Sequence, residues 1–242
     1  MSPDLGHPRV HLRLVDSTNE RARELAQRGA PHGTVVTAAE QTAGRGRQGR
    51  TWAAPAGRAI LCSVVVRDPP RLLPLAAGVA VAETVDQVRS DAVGPGPGAP
   101  PAPASLKWPN DVLVEGRKVA GILVEGRPQE GWAVVGIGVN MALRQDDFPD
   151  ELRGIAGTLD LGLEVLGPAL GQLLAALGCW ITAPAESVLE AVRARDALRG
   201  QPVRWAGGHG EAVGVDEDGR LLVAGDHGQV ALEAGEVHLV RS

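Results

Sequence analysis

The sequence predicts an α+β protein: a core of strands and helices over residues 1–198, followed by a small antiparallel β-barrel over 199–242. Apolar runs of strand type, TVVTAA and AILCSVVVR, alternate with helix-type segments in the first part. Beyond Arg199-Gly200 the pattern shortens to QPVRWAGG, EAVGVDEDG, RLLVAGD, GQVALEAG and EVHLVRS, β-type runs cut at close intervals by glycine and acidic turns. With 44% apolar and 22% charged residues, the composition is that of a globular chain able to bury a core.

Taken in order, Ser17-Thr18-Asn19-Glu20 has the spacing of a capping box, with Glu20 three residues after Ser17. The helix it opens, TNERARELAQRG, sets Ala22, Leu25 and Ala26 on one face and stops at Gly29. TVVTAA reads as a strand, QTAGRGRQGRTWAAPAG as a loop, AILCSVVVR as a buried strand, and residues around 71–89 as a helix. VGPGPGAPPAPA cannot hold regular structure. KVAGILVEG and WAVVGIGVNM pair as a hairpin, and two helices occupy about 168–182 and 185–199.

The net charge of −5 and a pI near 5.7 supply no global positive field for nucleic acid or an anionic membrane. No run approaches the ~20 apolar residues of a membrane span, and the first residues lack the apolar stretch of an export signal. Cys62 and Cys179 sit far apart in apolar surroundings and read as buried thiols of a reducing compartment, the cytoplasm.

Arginine dominates the 24 basic residues; the two lysines are Lys107 and Lys118, and asparagine occurs only at Asn19, Asn110 and Asn140. Drift toward Ala, Gly, Pro and Arg reads as genome composition, so the exceptions are informative. Lysine and arginine exchange freely on a solvated surface but not where a compact point charge is required. Both lysines fall in LKWPNDVLVEGRKVAG, and the asparagines in STNE, WPND and GVNM.

Gly44-Arg45-Gly46-Arg47-Gln48-Gly49-Arg50 matches GxGxxG literally, but the dinucleotide fingerprint must open a helix, and TWAAPAG cannot. Three arginines in seven residues, with no acid among them, suit an anion: glycines let backbone N–H groups approach it and guanidinium forks match phosphate or carboxylate. A solvated surface loop and a nucleic-acid loop are the alternatives, the latter disfavoured by the acidic charge. Trp52 is either a packing residue or a stacking platform. Pro109 after Trp108 projects Asn110 and Asp111 from a strand end, although Asp111 taken alone reads more readily as a plain turn carboxylate. Lys118 opens the apolar strand KVAGILV, costly unless paired or facing a ligand, and Gly121, Gly136 and Gly138 mark close approach of backbone or ligand. The six histidines are scattered, so neither a metal site nor a Ser-His-Asp set is expected, and the available chemistry is electrostatic.

STNE, QTAGRGRQGRTW, KWPNDV, RKVAGILVE and VGIGVNM, in that order, resemble the biotin protein ligase family from about residue 10 to the C-terminus. The resemblance implies a mixed β-sheet flanked by helices, related to lipoate ligases and class II tRNA synthetases, with a C-terminal SH3-like barrel. It makes the Pro/Gly stretch 94–103 a loop within the core. It implies formation of biotinyl-5′-AMP from biotin and MgATP, then transfer of biotin to a lysine of a biotin carboxyl carrier domain, as in acetyl-CoA carboxylase. Carried over by motif, Ser17, Thr18, Asn19 and Gln41 bind the biotin ring system, joined on the acyl-adenylate by Gly44, Arg45, Gly46, Arg47, Lys118 and Gly121. Arg47, Arg50, Trp52, Asn110, Lys118 and Asn140 belong to the nucleotide side, with Asn110 also toward the magnesium; no side-chain metal cage is expected. Lys118, Arg47 and Asp111 are the catalytic candidates, Asp111 orienting biotin and the incoming lysine. The 16 residues before Ser17 leave no room for the DNA-binding domain of repressor-type members, so no specific DNA binding is expected; a homodimer stays open. AILCS stands where many members carry an aromatic residue. A lipoate or octanoate ligase is the nearest alternative, and a non-catalytic nucleic-acid module a more distant one.

Overall fold

The structure is a computed structural model and describes residues 5–94, 101–226, 228–233, 235 and 237–240. Part of the Pro/Gly stretch expected to be a loop, residues 95–100, lies outside them. The first unit is β1 (Arg9–Val15), α1 (Thr18–Gln27) and β2 (Val35–Gln41), with β1 and β2 parallel, as a crossing helix requires. β3 (Ala59–Arg67) follows the arginine loop, and α2 (Leu73–Val93) runs on to Gly94, the first residue able to stop it. Then come β4 (Ser105–Lys107), β5 (Asp111–Val114), β6 (Arg117–Arg127) and β7 (Trp132–Asn140). β5 and β6 turn at Glu115-Gly116, both with positive φ, the geometry of a two-residue hairpin turn.

These seven strands form one mixed sheet in the order β1-β2-β3-β7-β6-β5-β4, in which only β1 and β2 are parallel. Its two faces follow from the pleat. Along β3, Ile60, Cys62, Val64 and Val66 face the main core with α2, α3 (Leu166–Trp180) and α4 (Ala185–Ala194). Ala59, Leu61, Ser63 and Val65 face the other way. β7 repeats this, with Ala133, Val135, Ile137 and Val139 in the core and Trp132, Val134, Gly136, Gly138 and Asn140 opposite. α1 covers one end of that second face through Ala22 and Ala26, and Leu143, Phe148, Ala156 and Trp52 pack over Ala59 and Leu61 at the other, with a cleft between them.

β8 (Pro202–Trp205), β9 (Gly208–Val215), β10 (Leu221–Gly225), β11 (Gly228–Leu232) and β12 (His238–Leu239) form the expected small antiparallel unit, in the order β11-β10-β9-β8-β12. Its Val203, Ala212, Val215, Leu221, Val223 and Val237 join the same apolar cluster as α2 and α4. Trp108 is buried in that cluster and donates its indole N–H to the carbonyl of Gly219, 2.9 Å away.

Several expectations are corrected. The Ser17–Glu20 capping box does not form: Ser17 makes no side-chain cap bond, and Glu20 turns to Arg23 and Arg45. β1 was not anticipated. α4 stops at Ala194 instead of 199, because the backbone of Arg195 and Ala197 bonds to Leu106 of β4. Cys62 is buried, its thiol pushed up to about 12 by burial, but Cys179 is exposed on α3. The stretch Leu163–Trp180, with mean hydropathy 1.3, has the length and composition of a membrane span, contrary to the reading that no run comes near one. Its Ala169, Leu170, Leu173, Leu174 and Leu177 lie in the main core.

Replacing Trp108 with Phe keeps an aromatic ring in place but strips the Gly219 carbonyl of its partner. A buried hydrogen bond lost from one side costs about 1–3 kcal/mol. The urea midpoint of Trp108→Phe is expected to fall accordingly, with one cooperative transition retained.

Candidate functional site

A cleft of about 880 Å³ opens on the second face of the sheet. Its floor is β7 and β6, where Gly136, Gly138 and Gly121 leave bare backbone. A Cβ at 138 would stand 2.5 Å from the Trp52 ring, and one at 136 would stand 2.1 Å from Asn19 Oδ1. The glycines read from the sequence as points of close approach therefore seat two side chains of the chain itself.

At one end, Ser17, Thr18, Asn19 and Gln41 line the cleft. Gln41 Oε1 accepts from the Thr18 backbone N–H at 2.7 Å and from the Thr18 hydroxyl at 3.0 Å. No hydrogen bond of Gln41 Nε2 to the protein is formed among the described residues, which leaves a donor at this end of the cleft. Ser63, buried behind them, lies 2.8 Å from Thr18 Oγ1 and 2.7 Å from Asn19 Oδ1.

The loop Gly44–Arg50 crosses the cleft mouth. Its base is closed by Trp52 N–H on the Gly44 carbonyl at 2.9 Å, and its tip by Gly46 N–H on the Arg50 carbonyl at 2.7 Å. Residues 47–49 make one 3-10 turn with Gln48 at φ 55°, and no helix follows, as read from the sequence. The arginines do not lack acids: Arg45 meets Glu20 at 3.0 Å and Glu125 at 2.9 Å. Both carboxylates come from outside the loop, so local sequence could not reveal them. Arg47 donates to Asn110 Oδ1 at 3.0 Å, while Asn110 Nδ2 donates to the Ile122 carbonyl at 3.0 Å.

In the middle, Lys118 Nζ stands 2.5 Å from Asp111 Oδ1 and 5.7 Å from the centre of the Trp52 ring. Asp111 Oδ1 has no aligned hydrogen-bond donor, so this is a charge pair by proximity. Residues 155–157 hold Lys118 in place: its N–H donates to the Ile155 carbonyl and its carbonyl accepts from Gly157 N–H, both at 2.8 Å. Asn140 lines the cleft with its amide given to the Gly157 carbonyl at 2.9 Å. Trp52 packs with Ala54, Leu61 and Phe148, making the far end apolar; Leu61 is the residue the AILCS strand presents there. Trp52 Nε1 is buried without a partner among the described residues.

The cleft thus gathers every site residue read from the sequence except Gly44, which anchors the loop's base from beside it. Lys107, singled out as one of the two lysines, also lines the cleft; the sequence reading missed Ser63, Glu125, Phe148 and, from β12, His238 and Leu239. Phe148 could have been found as the lone phenylalanine; the others carry no local signal.

Residues 11–141 match the biotin/lipoate A/B protein ligase family and residues 190–240 the biotin protein ligase C terminal domain. The chain is 36% identical over 244 residues to a biotin–[acetyl-CoA-carboxylase] ligase of Paracoccus denitrificans, covering 93% of this chain and 98% of that one. It is 37% identical over 163 residues to a bifunctional ligase/repressor BirA of Bacillus spizizenii, a match spanning 64% of this chain and 47% of that protein. Its fold is similar to that of a biotin protein ligase from Aquifex aeolicus in complex with biotin and ATP, with a TM-score of 0.76, 29% identity and coverage of 98% and 100%. The chain belongs to the biotin/lipoate A/B protein ligase family.

Proposed function

We propose that the chain activates biotin with ATP as biotinyl-5′-AMP and transfers the biotinyl group to a lysine of a carboxylase's biotin carrier domain. The observation that carries this reading is the meeting of the GRGRQGR loop, the KWPND turn and Lys118 at one cleft. In the first step a biotin carboxylate oxygen bonds to the α-phosphorus and pyrophosphate leaves. Two anions must approach, so cations have to neutralise both the carboxylate and the charge growing on phosphorus. Lys118 is the compact charge at that point, held by Asp111, and Arg47 supplies a fork to the phosphate. In the second step a neutral carrier lysine attacks the acyl carbon and AMP leaves; Asp111 orients both partners.

The donors of Ser17, Thr18 and Gln41 suit the ureido ring, and Trp52 with Phe148 suits adenine. Asn110, Asn140 and Arg50 lie on the nucleotide side. Magnesium would enter with the ATP phosphates, which keep several of its waters, rather than in a protein cage. The second family match supports a division of the chain into a catalytic part, 1–198, and a C-terminal part, 199–242. We place the reaction in the cytoplasm.

ATP–pyrophosphate exchange tests the reading: exchange is expected with biotin and not with lipoate, and exchange with lipoate alone would make it a lipoate ligase. Lys118→Arg is expected to fold normally yet lose at least tenfold in biotin-dependent exchange, because a fork cannot occupy the place of a point charge; charge-assisted contacts contribute about 1.5–3 kcal/mol. Arg47→Gly is expected to make adenylate but release it early, since the guanidinium gains most once a phosphate is present. Biotinylation of a bystander protein in the same tube should then exceed that of wild type.

A further inference from the structure

The ring-binding end of the cleft and the arginine loop are joined by an unbroken run of polar contacts. Gln41 holds Thr18, Thr18 and Asn19 share the Ser63 hydroxyl, and Asn19 Nδ2 donates to Glu125 Oε2 at 2.9 Å and to the Leu123 carbonyl at 3.3 Å. Glu125 Oε1 then meets one terminal nitrogen of Arg45 at 2.9 Å, while Glu20 takes the other at 3.0 Å. Arg23 braces Glu20 at 3.0 Å and stands 4.0 Å from Glu125.

Each member is held on the sheet or on α1, except Arg45. Asn19 is buried against Gly136, and both ends of its amide are engaged by the protein. Both of its N–H donors are taken, by Glu125 and the Leu123 carbonyl, so it has no donor to offer a ligand without releasing one of them. Glu125 is the less exposed of the two carboxylates, 23% against 39% for Glu20, so its charge is the less screened. A guanidinium presents a rigid fork that reaches two carboxylates at once, which an ammonium does not.

We propose that Glu125, seconded by Glu20, is the positioning residue that holds the arginine loop across the cleft, and that Asn19 acts through Glu125 rather than on the ligand. This deepens the biotinylation reading, and only its kinetic arm rests on that reading. The run of contacts ties the order of the loop to the same Thr18–Ser63–Asn19 cluster that forms the ring end.

The loop carries its own reporter, because Arg45, Arg47 and Arg50 are tryptic sites. Ligand-free protein is digested briefly with trypsin and the fragments are weighed. Glu125→Gln keeps the shape and a hydrogen bond to Asn19 but removes the charge. Loss of one partly exposed charge pair predicts cleavage within 45–50 about fivefold faster than in wild type, with the thermal midpoint unchanged. In biotin-dependent exchange the same variant should raise the KM for biotin about fivefold with kcat within about twofold, the pattern of a smaller binding-competent population. Should Glu125→Gln fold poorly, Arg45→Gln removes the other partner from the exposed side and should speed cleavage at Arg47 and Arg50 equally. The double variant should be cut no faster than the faster single one. Wild-type cleavage rates in a folded single variant, or single effects that multiply in the double, overturn the proposal. Absence of biotin-dependent exchange in wild type removes the biotinylation reading and leaves the tryptic rates to decide the clamp.

Discussion

Bare backbone at Gly136 and Gly138, in the middle of a seven-stranded sheet, is the constraint from which the site follows. A sheet face elsewhere in this fold is filled by valine and isoleucine, as on the opposite side of the same strand. Removing two side chains there opens a trough one residue deep, into which Trp52 and Asn19 settle from two different segments. Trp52 brings the end of the arginine loop down onto the sheet, and Asn19 brings the first turn of α1. The loop and the helix start therefore meet because the strand beneath them has nothing at those positions. Each added methyl would collide with a ring or an amide wedged between other groups, so the glycines act through packing rather than through backbone freedom.

The electrostatics follow from this packing. Lys118 lies over the bare strip with Trp52 on one side and Asp111 on the other. A partly buried ammonium needs a counter-charge, but here the counter-charge sits by proximity without an aligned hydrogen bond. Such a pair holds the lysine in place and leaves its protons free to turn toward an incoming oxygen. Arg47 donates to the Asn110 side-chain oxygen, a contact that aims its fork into the cleft. Arg45 has a carboxylate on each side, and its charge is compensated before any ligand arrives. Arg45 thus fastens the loop from the outside, while Lys118 and Arg47 line the cleft.

This division explains what the sequence could and could not reveal. β3 and β7 were legible because AILCSVVVR and WAVVGIGVN are short, nearly continuous apolar runs rich in branched residues, the pattern of strands buried on both faces. The cleft residues were legible as motifs, since STN, GRGRQGR and KWPND each place functional groups within a few positions. The acids that hold Arg45 were not, because Glu20 and Glu125 lie 25 and 80 residues from it and only the sheet brings them close. Glu20 even carried a competing local signal, the capping-box spacing, which tertiary pairing overrode. β1 went unread although Val10 and Leu12 alternate with Arg9, His11 and Arg13, because charged outward residues diluted its apolar character. Cys179 and the end of α4 were misread for a related reason: apolar neighbours do not tell which side of a helix faces the core, or where another strand will take over its backbone.

The KWPND turn between β4 and β5 shows why the C-terminal sheet stays with this core. Trp108 points into the main apolar cluster and bonds to Gly219, while Asn110 and Asp111, two and three residues on, enter the cleft. The β4–β5 turn is thereby clamped between the second sheet and the cleft. A shift of the C-terminal sheet would move Trp108 and, through so short a lever, the carboxylate that positions Lys118. Arg71 ties α2's approach to Glu217 and Asp218, and Arg193 ties α4 to the Val215 carbonyl, so the attachment is made from three directions. His238 and Leu239 then bring the edge of that sheet to the cleft itself. A small β-unit with its own ladder thus supports the turn that carries Asp111 into the cleft, and its apolar residues serve that support as much as its own folding.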